Sequence, residues 1–201
     1  MSAPGRALAD PSRFRSAAGE RRVLHARVRP AVAGGAWPLR QAMEDALRCA
    51  SFDDAGRLVL VRRLRVASLP AGAGATALAR ALEQAWREAA RQAVPALGPG
   101  DVAQAQEALA APAVWFASQA DAALAALARS VEGAPLAGWF WPLGLPVLQD
   151  TQEGAARIPP LLALLQGLAP QGWAPALARW PPARRARLQG WVQDMGPVQR
   201  R

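Results

Sequence analysis

Twice in its first half the chain alternates apolar and polar residues and then shifts to a helical rhythm. From Arg21, RVLHARVR sets Val23, His25 and Arg27 on one side and Leu24, Ala26 and Val28 on the other, the period of a strand. Pro30 and Gly34-Gly35 close it. WPLRQAMEDALRCASF follows, with Leu39, Met43, Ala46 and Leu47 at helical spacing and Pro38 suited to a first helical turn. Asp53-Asp54-Ala55-Gly56 predicts a turn. In RLVLVRRLRV, Leu58, Leu60, Leu64 and Val66 share one face with Arg62, and Val59, Val61, Arg63 and Arg65 share the other. This predicts a second strand with one face buried and the other turning polar toward its end. A Pro/Gly turn leads into a long amphipathic helix striped by Leu78, Ala81, Leu82, Ala85, Trp86, Ala89 and Val94. Glu83 and Arg87 stand in the favourable i, i+4 order.

The breaker PALGPG at 95–100 is the strongest internal boundary. Beyond it the pattern predicts no strand. Asp101 can cap a short helix to Ala110, which Pro112 interrupts, and a longer helix is expected from about Trp115 to Val131, with Phe116, Ala120, Leu124 and Leu127 inward. A charge-free stretch, GAPLAGWFWPLGLP, reads as a loop or broken helix. Residues 158–168, 173–180 and 182–193 each predict a short helix between Pro/Gly pairs. The fold class expected is α+β: an N-terminal β-α-β-α unit over 21–95 after a flexible arm at 1–20, then a mainly helical, Trp/Pro-rich region over 101–195.

Charge changes this picture by dividing the chain. All 24 basic residues are arginine, and the net charge is +9. Residues 1–65 hold thirteen arginines against six acids, 66–156 hold four against eight, and 157–201 hold seven against one. Two basic ends flank an acidic middle, a distribution that suits solvated termini or contact with nucleic acid, an anionic membrane or an acidic protein. The uncharged run Ile158–Ala178 is long enough to cross a bilayer, but Pro159, Pro160, Pro170 and Pro175 interrupt it. One cysteine allows no internal disulfide, and the N-terminus has no apolar core of the signal-peptide kind; both point to the cytoplasm.

Candidate chemistry is narrowed mostly by missing residues. Without lysine there is no Walker-type phosphate loop, Schiff base or lysine base. One His and one Cys exclude a His/Cys zinc cluster and an HExxH helix, and no GxSxG elbow occurs. His25, on an alternating strand, reads as a structural or surface residue, and Cys49, late in a striped helix, as a small core residue. Gly72-Ala-Gly74-Ala-Thr-Ala77 matches GxGxxA between a strand and a helix, yet no third strand with a ribose-binding acid follows. The carboxylate pairs Glu44-Asp45 and Asp53-Asp54 read as solvated charges. No cofactor, metal or catalytic residue is expected. Arginines on the two strands lack the exposed aromatics of an RNA-binding sheet.

Eight Trp with no Tyr is the sharper signal, and six of the eight follow the breaker. They either fill a core otherwise built from alanine or anchor a protein interface, where Trp and Arg carry much of the binding energy. On the second reading the partner-binding residues are Trp139, Phe140 and Trp141 together with Trp180, Arg184, Arg185, Arg187 and Trp191.

The order of these features, over residues 21–146, resembles the tape-measure-related proteins of bacterial contractile injection systems. GRLVLVRRLRVASLP stands where that family has its second strand, ALARALEQAWREAARQAV where it has the following helix, and LARSVEGAPLAGWFWPLGLP where it has a Trp-bearing Gly/Pro turn. The resemblance implies a non-catalytic structural or assembly protein with a protein partner, and it transfers no active-site residue. The alternative drawn from the residues is a basic module binding nucleic acid or an anionic surface.

Overall fold

The computed structural model describes residues 23, 26, 36–52, 56–70, 72–96, 102–149, 154–168 and 173–194. The element order is α1 (Ala36–Cys49), β1 (Leu58–Val61), α2 (Ala75–Arg91), β2 (Val94–Pro95), α3 (Val102–Ala110), β3 (Ala113–Phe116), α4 (Gln119–Val131), α5 (Trp141–Gly144), α6 (Ile158–Leu168), α7 (Trp173–Ala178) and α8 (Pro182–Asp194). Short 3-10 turns precede α6 at Pro146–Leu148 and Gly154–Arg157. The fold is α+β, a small three-stranded sheet with many helices. The first expected strand lies outside the described residues apart from Val23 and Ala26, neither of which belongs to a strand.

Two compact units divide the chain: Met1–Asp53 with Ser68–Glu83, and Asp54–Ala67 with Gln84–Arg201. The Pro95–Gly100 breaker falls inside the range of the second. In the first unit Ala46, Ala50, Leu78, Ala79 and Leu82 are buried. The Ser51 N–H, just past the end of α1, donates to Glu83 Oε1 at 2.8 Å.

In the second unit the sheet order is β1-β3-β2, with β3 antiparallel to β1 and parallel to β2. The expectation of no strand beyond the breaker is therefore corrected, as is the helix start at Trp115. Residues 113–116 (AVWF) form the central strand, and α4 begins only at Gln119. The reason is visible in burial. Ala113, Val114 and Phe116 are at most 3% exposed, so the strand is apolar throughout and shows no alternation. β1 also stops at Val61 rather than running on to Val66. Its partner is limited by Pro112, whose carbonyl takes a last bond from the Arg62 N–H at 2.9 Å.

Register sorts the side chains of the sheet. Leu58 faces Phe116, Leu60 faces Val114, and Val94 pairs with Val114, so this face is apolar and packs on the core. On the opposite face Val59 pairs with Trp115, and the Arg57 guanidinium lies 5.3 Å from the Trp115 ring centre.

α4 is the pillar of the core. Ser118 caps it, its hydroxyl accepting from the Asp121 N–H at 3.0 Å. Ala122, Ala123, Ala126 and Leu127 are fully buried, and the small alanines let α6 approach with Ile158, Leu161 and Leu165. Buried Ser130 donates its hydroxyl hydrogen to the Ala126 carbonyl one turn back. The helix ends in a Schellman turn: Gly133 N–H bonds to Ser130 O, and Ala134 N–H to Arg129 O. Gly133 has φ +68°, a conformation that costs other residues. The Arg129 side chain then holds the Pro135 carbonyl at 2.9 Å, fixing the direction in which the chain leaves toward Trp139.

Candidate binding surface on the C-terminal helices

The eight residues expected to bind a partner fall in two places. The first is the turn entering α5. Phe140 and Trp141 are 3% exposed and belong to the core cluster. Their rings close on Phe116 of β3, with centroids 6.0 Å away for Phe140 and 5.6 Å for Trp141, and on each other at 5.1 Å. Trp139 stands edge-on to Phe140 at 5.7 Å, half-buried, with its indole Nε1 sealed from solvent and unbonded among the described residues. Gly138 is required here, since a Cβ at that position would sit 2.6 Å from the Phe140 ring. Phe140 and Trp141 are thereby corrected from partner anchors to core residues. A fully buried aromatic contributes about 1.5–3 kcal/mol of transfer free energy, and a charge-free turn next to an alanine-rich helix finds that gain inside.

The second place is the α7–α8 pair. The helices are joined through Trp180 and Pro181, with Pro182 opening α8, where a missing N–H is harmless. Along α8, Leu188 is buried and Trp191 and Val192 pack on the core. Trp180, also half-buried, packs there too. Arg184 is engaged within the protein. Its guanidinium lies 5.3 Å from the Trp180 ring centre, and its Nε and Nη2 both reach Glu132 Oε1 at 2.6 Å, tying α8 to the end of α4. Arg179, Arg185 and Arg187 are exposed. None of the three forms an ion pair among the described residues.

Two of these arginines stand where helix electrostatics disfavour them. The N-terminal turn of a helix carries partial positive charge, so a cation there costs about 0.3–1 kcal/mol. α8 has no acid in its first turn, and Arg184 and Arg185 occupy it. Glu132 offsets the first of them; the described structure contains no such offset for Arg185. Arg179 and Glu132 were not singled out from sequence. Arg179 was readable as the neighbour of Trp180, whereas Glu132 meets its partner 52 residues away, a pairing no local pattern announces.

Elsewhere, no group of three or more His, Cys, Asp or Glu among the described residues could hold a metal ion. No helix among them is long and apolar enough to cross a membrane. Cys49 is exposed rather than in the core, although it sits at the last position of α1. Comparison with known protein families, characterised proteins and solved structures finds no match to this chain.

Proposed function

We propose that this protein works by binding rather than by catalysis, and that its working surface is the basic outer side of the α7–α8 pair, directed at a polyanionic partner. The observation that carries this reading is the exposure of Arg185 and Arg187 on the N-terminal half of α8, neither paired with a carboxylate among the described residues and Arg185 standing in the first turn against the helix dipole. An exposed cation placed where the helix dipole disfavours it, with no carboxylate beside it among the described residues, supports a role outside the fold. The surrounding sequence agrees, since residues 157–201 hold seven arginines and one acid. A protein interface anchored on residues 139–141 is disfavoured by the burial of Phe140 and Trp141. An assembly role, as the injection-system resemblance implies, is compatible with this surface.

Retention on an immobilised sulfated polysaccharide, eluted by rising salt, tests the reading. The native protein should bind at low salt, and the R185A/R187A double variant should elute at markedly lower salt with an unchanged melting temperature. Equal elution of the two proteins would remove the α7–α8 surface from the account.

A further inference from the structure

We infer that the polyanion is double-stranded nucleic acid, with α8 seated in its groove and Arg185 and Arg187 reaching the phosphates on either side. This inference rests on the binding surface proposed above. Successive helical residues are about 100° apart, so Arg185 and Arg187 leave α8 about 200° apart, one on each flank of the face that Leu188 buries. The outward arc between them, from Pro182 through Ala183, Ala186, Gln189 and Gly190 to Gln193, is uncharged and mostly small, and Asp194 closes it at the C-terminal end. A helix that is narrow on its outer side and cationic on both edges has the cross-section a major groove of about 12 Å admits. Its 13 residues extend about 20 Å.

Other polyanionic surfaces fit less well. Single strands are held by stacking on exposed aromatics, but Trp191 packs on the core and Trp180 is overlain by Arg184. An anionic membrane is usually met by a large apolar residue as well as by charge, and none of the exposed large hydrophobics falls in residues 173–194. Asp194, exposed at the far end of α8, repels phosphate there, so the N-terminal half is the part that enters.

The test is anisotropy of three labelled probes with the full chain: a 20-base-pair DNA duplex, one of its strands alone, and polyglutamate. Three proteins are compared: the native chain, R185A/R187A, and Ala186→Trp, which adds bulk to the outer arc without changing charge. All substitutions are at exposed positions, and melting temperatures check the fold. The duplex should be bound in preference to both other probes. R185A/R187A should flatten the slope of log affinity against log salt by about 0.9 for each phosphate no longer neutralised. Ala186→Trp should lose duplex binding while keeping its retention on the sulfated polymer. If Ala186→Trp binds duplex like the native chain, or the single strand is bound equally well, groove seating is overturned and the basic surface stands. If polyglutamate is bound best, the occupant is an acidic protein and the nucleic-acid inference falls. If the native chain binds none of the probes and is not retained on the polymer, both readings fall together.

Discussion

The turn entering α5 and the α7–α8 pair are both rich in tryptophan, yet their tryptophans have opposite neighbours. Trp141 meets Phe140 and Phe116 and is closed off from solvent. Trp180 meets a guanidinium, and the arginines around it stay in water. What separates the two is the local supply of charge. The turn has none between Glu132 and Asp150, so nothing opposes its burial, whereas Trp180 and Trp191 lie on the same short segment as Arg179, Arg184, Arg185 and Arg187. Tryptophan density by itself therefore marks neither a core nor an interface.

The contrast can be broken most directly at Trp141. Trp141→Ala should cost about 3–5 kcal/mol in denaturant unfolding, as expected when a large buried aromatic is removed. Trp180→Ala should cost clearly less; equal losses would show that the two regions are not different in kind. Next in size is Gly138→Ala, which forces the Phe140 ring to move and should cost about 1–3 kcal/mol in the same measurement. Arg185→Glu sharpens the comparison because its two effects have opposite sign. Replacing a cation by an anion in the first turn should stabilise α8 by up to about 1 kcal/mol while lowering the salt needed for elution from the sulfated polymer. A variant that binds less and melts lower would instead point to a packing role. Smaller still is Glu132→Gln, which removes the partner of a partly exposed Arg184 and should cost about 0–1 kcal/mol. It should also strengthen polymer retention by releasing a cation. Glu88 gives the smallest effect. Hydrogen bonds from Arg91 and Gln92 hold its carboxyl below the usual range, so any stabilisation is present at neutral pH and lost as pH falls through that lowered value. The group is exposed, and a pH titration of Glu88→Gln should lie close to that of the native protein.

Long periodic segments were legible in the sequence. The stripe expected from Leu78 to Val94 gave α2 as far as Arg91, with Val94 falling in β2 instead, and the Pro/Gly punctuation after residue 157 gave α6, α7 and α8 within two residues. β3 was not legible, because a central strand of four apolar residues has no polar face to alternate with and cannot be told from the start of a helix. β1 was legible as a strand but not in length, since its end is set by Pro112, far along the chain. At the candidate surface the exposed arginines could be read from charge alone, while the burial of Phe140 and Trp141 depended on a strand that the pattern hid.

The sheet order has a consequence for synthesis. Among the described residues β1 and β2 each bond only to β3, which is the last of the three to be made. While a ribosome translates the intervening stretch, Leu58–Val61 is an apolar strand with no mate, the sort of segment that nascent chains pair with each other. Arg57 stands immediately before it and Arg62 and Arg63 immediately after. Charges so placed act as gatekeepers, keeping growing chains apart until their own β3 emerges.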